Sequence, residues 1–265
     1  MILTALIYLY ACKMKGSKEG AEQINTDKNT FSIMTVKQVI KSLHQLADPE
    51  KVAFKQKKFG VISNNAIGVY HKDLKALAKE IGWNKELALA LFDSDIYEAR
   101  LLCSKLFKPK EVTIPLMEEW VVTFENWEIT DSFCMGLFAK SEHAVTKIKE
   151  WTKRKPAFEK RSGFTIMAAY CMADKKAGNE VYESFFPIIK REAIDERIYV
   201  KKAVNWALRS IGKRNVDLNK QAIAVAKEIL KIESKTAHWI AKDAIKELEG
   251  ERVNILDYPR AIYRP

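Results

Sequence analysis

From His71 onward, apolar positions recur every three to four residues in segment after segment, the period of helices with one buried face. The pattern predicts helices over about 71–80, 84–92, 95–107, 113–124, 127–139, 142–153, 156–173, 178–193, 197–212, 217–230 and 234–248. Upstream, Val36, Val39, Ile40 and Leu43 mark one side of a helix over about 35–47. Asp48-Pro49 stops it and opens a basic second helix, about 50–59, carrying Lys51, Lys55, Lys57 and Lys58. The stretch 60–69 contains Gly and Asn but is too apolar for a free loop, so it is expected to lie against the body. Pro115 falls near a first turn, where proline is tolerated, whereas Pro187 lies inside 178–193 and predicts a kink or a division.

No alternation of strand type extends over any length. Paired helices repeating at roughly 35 to 45 residues predict an all-α fold, an α-α superhelix (solenoid) of HEAT-like helical repeats. A compact, non-repeating bundle is the structural alternative. The expected organisation is an N-terminal extension over 1–30, a single repeat domain over 31–250 and an irregular tail over 251–265.

Composition adds a partner to this picture. Apolar residues are 48% and charged residues 30% of the 265, which suits a folded chain and argues against disorder. The 45 Lys and Arg against 34 Asp and Glu leave a net charge of +11, which favours a polyanion. Nucleic acid ranks first, an anionic membrane surface second, and a merely basic surface is the bland reading. Charge does not separate DNA from RNA. Cys103, Cys134 and Cys171 sit among apolar neighbours without C-x-x-C spacing and read as core thiols of a reduced, cytoplasmic protein. His44, His71, His143 and His238 form no ligand cluster, so neither a metal nor a cofactor is expected. Met1 to Ala11 is nearly all apolar, and Leu9-Tyr10-Ala11-Cys12 faintly resembles a lipoprotein cleavage box. No basic residue precedes it and the run is short for a membrane span, so it is expected to pack on the body or to extend from an early start codon.

The chemistry centres on Glu125-Asn126-Trp127-Glu128-Ile129-Thr130-Asp131-Ser132-Phe133-Cys134. In a helix, Trp127 and Asp131 share one face. Arg161 follows 34 residues later, at the start of a very apolar helix, and Trp206 follows 45 after that. In a solenoid, such steps return residues to one face. Taken singly, Trp206 reads as core, Arg161 as a surface cation at a helix end, and Asp131 as a cap or the partner of a lysine. Together, two indoles and a carboxylate can surround a sugar becoming cationic while an Arg holds a phosphate.

On Trp127-x-x-x-Asp131, Arg161 and Asn205-Trp206-Ala207-Leu208-Arg209, the chain resembles the AlkD-type DNA alkylation repair glycosylases, a HEAT-like repeat family, over roughly 35–249. The resemblance implies hydrolysis of the N-glycosidic bond of positively charged N3- and N7-alkylated purines in duplex DNA, without a base pocket. It implies Asp131 as the catalytic carboxylate, Trp127 and Trp206 as cleft indoles and Arg161 as a backbone contact. Lys160, Lys202 and Arg209 are the added phosphate candidates. The partner is then double-stranded DNA containing alkylated bases, with no membrane and no obligate protein partner. The chain departs from the family in its second helix, which offers Phe54 or Phe59 where a Tyr is expected. A non-catalytic module that binds damaged or branched DNA and a protein-interaction scaffold are the rival readings.

Overall fold

The computed structural model describes residues 34–250 and Val253. The expected extension over 1–30, its cleavage-box reading with Cys12, and nearly all of the tail over 251–265 lie outside them. Fourteen α-helices follow one another and no strand occurs among the described residues. They are α1 (Val36–Gln45), α2 (Pro49–Phe59), α3 (His71–Ile81), α4 (Lys85–Phe92), α5 (Tyr97–Leu106), α6 (Ile114–Val121) and α7 (Trp127–Gly136). There follow α8 (Ala144–Trp151), α9 (Ala157–Ala173), α10 (Asn179–Glu183), α11 (Phe186–Glu192), α12 (Ile198–Gly212), α13 (Val216–Ile229) and α14 (Lys235–Leu248).

Polar residues set the helix starts. Thr35, Asp48, Asn84, Thr113, Asn126, Asn215 and Ser234 each accept a backbone N–H that the first turn leaves unpaired. Gly60, at φ 64°, closes α2 in the left-handed region. The segment 178–193 is divided at Pro187, which opens α11 because a proline lacks the N–H an interior turn needs. The predicted helix 127–139 instead ends at Gly136, and a 3₁₀ turn over Phe138–Lys140 carries the chain on.

The packing is that of a solenoid. Helices α3, α5, α7, α9, α12 and α14 touch in that order to form one layer, and α4, α8 and α13 back it. The longest member, α9, is buried from Arg161 to Ala169, so it has no polar face, as befits a helix enclosed by α7, α8 and α12. Gly163 lets α9 approach α8 closely, since a Cβ there would lie 2.7 Å from the Thr152 backbone nitrogen. An aromatic ladder joins the layers: Phe92 stacks on Trp120 at 4.6 Å, Trp120 meets Phe133 at 5.1 Å, and Phe138 meets Trp151 at 5.9 Å. Cys103, Cys134 and Cys171 are buried free thiols whose pKa burial pushes up. No described helix is long and apolar enough to cross a membrane.

The apolar connector after α2 is docked, as expected from its composition. Val61, Gly68 and Val69 are buried. The buried Glu98 carboxylate accepts the backbone N–H groups of Ile67, Gly68 and Val69 at 2.9, 2.7 and 3.2 Å. Gly68 has φ 91°, and a Cβ there would fall 2.0 Å from the Asp48 carbonyl oxygen. Gly68→Ala is therefore expected to lower stability by about 2 kcal/mol or more, read as an earlier urea midpoint with an unchanged slope.

Candidate nucleic-acid interface

Helix α7 is fixed by the residue that caps it. The Asn126 side chain accepts N–H groups from Glu128 and Ile129 at 2.9 and 3.2 Å, receives the Tyr97 hydroxyl at 3.0 Å and donates to the Ile62 carbonyl at 3.2 Å. This sets the rotation of the helix. Ile129, Thr130, Phe133 and Cys134 turn inward, while Trp127, Asp131 and Met135, four residues apart, remain accessible along one strip.

The residue after Trp127, Glu128, is 5% exposed and gathers three elements. It accepts Lys55 Nζ of α2 at 2.8 Å and the Tyr97 hydroxyl at 3.1 Å, and it lies 3.3 Å from His71 Nε2 of α3. Burial alone would raise its pKa, but the His71 and Lys55 hydrogen bonds outweigh burial and hold it near about 2. Trp127 Nε1 donates to the Phe59 carbonyl at 2.9 Å. The end of α2 thus lies at the start of α7, with Phe54 and Phe59 exposed and edge to face at 5.7 Å.

The structure brings Asp131 and Arg161 together. Arg161 Nη2 donates to Asp131 Oδ1 at 2.9 Å and to Oδ2 at 2.8 Å, Nε donates to Oδ1 at 3.1 Å, and Thr165 adds a hydroxyl to Oδ1 at 3.3 Å. The remaining fork nitrogen, Nη1, donates to the Tyr199 carbonyl at 2.7 Å. Arg161 is 7% exposed, so its fork is spent inside the protein, and the expected open phosphate contact does not match this placement. The Asp131 side chain keeps 19% exposure, and Oδ2 has Arg161 as its one donor among the described residues. Burial raises the Asp131 pKa above the ordinary carboxylate value, against the pull of Arg161 and Thr165.

The other expected residues divide. Lys160 is closed by Glu192 and by Asp195, the latter at 3.4 Å. Arg209 pairs with Glu247 and lies 3.6 Å from Asp243. Carboxylates that arrive 32 to 38 residues downstream capture both cations, and no local pattern announces them. Lys202 stands exposed without a carboxylate partner among the described residues, one turn from the half-buried Trp206 on the same strip of α12. Tyr199 was not singled out in the sequence, although it lies two turns before Trp206 on that face. Its ring packs on Phe158 at 5.3 Å and its hydroxyl meets the Gly60 carbonyl at 3.4 Å, so α2 and α12 touch here. Thr165 was not singled out either, although it lies one turn after Arg161 on the same face of α9. No group of three His, Cys, Asp or Glu that could hold a metal ion occurs among the described residues.

Comparison with known proteins bears on this site. Residues 39–248 match the family described as DNA alkylation repair enzyme. The uncharacterized protein Lin0241 of Listeria innocua is 23% identical over 225 residues, covering 83% of this chain and 98% of its own. Among solved structures, one is described as a new family of proteins related to the HEAT-like repeat DNA glycosylases with affinity for branched DNA structures. It aligns with TM-score 0.66 at 19% identity, over 79% of this chain and 94% of its own. AlkD2 from Streptococcus mutans aligns with TM-score 0.51 at 22% identity, over 75% and 97%. At these identities the likeness shows a shared HEAT-like fold, while the family match spans most of the chain. Because that match runs from residue 39 to residue 248, this chain, a basic helical solenoid with an indole and a carboxylate on one helical strip, belongs to the DNA alkylation repair enzyme family.

Proposed function

We propose that the protein is a DNA glycosylase hydrolysing the N-glycosidic bond of cationic N3- and N7-alkylated purines in duplex DNA. The observation that carries this reading is the Asp131 carboxylate, which remains accessible beside Trp127 with one oxygen bearing a single donor. An alkylated purine already carries positive charge and leaves without a general acid. The protein then needs only to stabilise an electron-poor deoxyribose and place a water, and Asp131 Oδ2 supplies both. Arg161 and Thr165 act as positioning residues that fix the carboxylate plane. The indole faces of Trp127 and Trp206 add attraction for developing cationic charge. Neutral purines leave too slowly to be cut, so selectivity needs no base pocket.

A second reading rests on the same ion pair. Arg161 neutralises much of the Asp131 charge, which suits a non-catalytic module that binds damaged or branched DNA. Methylated duplex DNA incubated with excess protein separates the two readings. The glycosylase frees 7-methylguanine or 3-methyladenine in a single turnover. A module retains the DNA and frees no base. The rate is expected to fall as pH drops through the Asp131 pKa, and that acid limb lies above the usual aspartate range because burial raises the pKa. A rate that shows no acid limb as pH is lowered would remove Asp131 from the chemistry.

A further inference from the structure

Three contacts join α12 to α14 at a constant offset of 38 residues. Lys201 Nζ lies 5.2 Å from the centroid of the Trp239 ring, Asn205 donates to Asp243 at 2.6 Å, and Arg209 pairs with Glu247. Residues 201, 205 and 209 are one turn apart, as are 239, 243 and 247, so the two helices run parallel along one seam. The seam has a closed side and an open side. Val200 and Val204, one residue back on α12, are buried, and so are Ile240 and Ala244, one residue forward on α14. One residue forward on α12 are Lys202, exposed, and Trp206, half-buried; one residue back on α14 are His238 and Lys242, both exposed. In parallel helices these last two sets turn to the same side. Trp239, 39% exposed, therefore borders the face that carries Trp206. Lys201, Lys202 and Lys242 form no ion pair among the described residues, and the seam carboxylates are engaged by Asn205, Arg209 and Lys213.

We propose that Trp239, flanked by Lys201, Lys202 and Lys242, is a stacking site for an unpaired nucleotide at the α12–α14 seam. The inference rests on the DNA-binding half of the function proposed above and is independent of hydrolysis. Within a duplex the faces of each base are covered by its neighbours, so an indole on the outside of a helix stacks only on a base that has left the pair. Such stacking tolerates any base, and the ammonium groups hold the phosphates on either side of it. An acidic peptide would satisfy the lysines but leave the indole without a flat partner.

The test is binding of the full chain to a labelled oligothymidylate and to an undamaged duplex, read by fluorescence anisotropy. Trp239→Ala is expected to weaken single-strand binding about tenfold, whereas Trp239→Phe, which keeps a flat ring, retains most of it. Lys242→Gln is expected to lower the slope of log affinity against log salt for the single strand by about 0.7. Trp239 and Lys242 are surface positions, and circular dichroism checks that the variants fold. Equal single-strand affinity in wild type and Trp239→Ala overturns the site, as does an equal loss in Trp239→Phe and Trp239→Ala. Displacement of the oligonucleotide by polyglutamate at equal charge also overturns it, in favour of an acidic protein partner. A protein that binds the duplex but not the single strand loses this site and keeps the proposed function. One that binds the single strand through Trp239 yet frees no alkylated base does the reverse.

Discussion

Asp131→Asn is expected to slow single-turnover base release from methylated DNA by about a hundredfold to a thousandfold, the cost of deleting one preorganised electrostatic contact, roughly 2.7–4 kcal/mol. The amide keeps the shape of the carboxylate and can still accept from Arg161, but it brings no negative charge to the sugar. Binding of undamaged duplex should change little, because the lost group repels phosphate if it does anything. Stability has to be measured alongside, since a neutral partner leaves the enclosed Arg161 cation poorly compensated. Breaking one side of an enclosed ion pair costs about 3 kcal/mol. Full retention of base release in a folded Asp131→Asn protein would remove Asp131 from the chemistry and leave the hydrolysis to another group.

Arg161→Met should damage the fold more than any surface change. It removes the guanidinium from three hydrogen bonds to Asp131 and one to the Tyr199 carbonyl, unpinning α7, α9 and α12 from one another. A loss of about 3–5 kcal/mol in urea unfolding at neutral pH is expected. The sign of its pH dependence is a further check. Without Arg161, the Asp131 pKa in the folded state rises further above its unfolded value. The penalty is then full above that raised pKa and shrinks as pH falls toward the unfolded value, because the protonated acid tolerates burial. The unfolding midpoint of the variant should therefore approach that of wild type at pH 5 relative to pH 7. The double variant Asp131→Asn/Arg161→Met should recover part of the loss. If Arg161→Met instead leaves stability intact and lowers the salt slope of DNA binding, Arg161 is a phosphate contact after all.

Helical order and solenoid class were legible because they follow from local periodicity and punctuation. Val36, Val39, Ile40 and Leu43 share a face by spacing alone, and Pro187 divides its segment because it lacks an N–H. The indoles show where that legibility ends. Trp120 and Trp151 are sealed in the aromatic ladder, Trp127 and Trp206 are half-buried, and Trp83 is exposed. Trp83 falls between helices beside Gly82, but nothing in the immediate sequence separates the fates of the other four, since each sits on an amphipathic segment.

By itself the sequence determined a basic, all-helical repeat protein and the placement of Trp127 and Asp131 on one helical face, because a period of 3.6 residues needs only neighbours. Tertiary structure alone decided that Arg161 grips Asp131 instead of standing open, and that Glu192 and Glu247 capture Lys160 and Arg209. Those pairings join residues about thirty or more positions apart, across helices whose rotation is set by buried packing. Charge partners at that distance are chosen by which faces meet, and no local pattern encodes that choice.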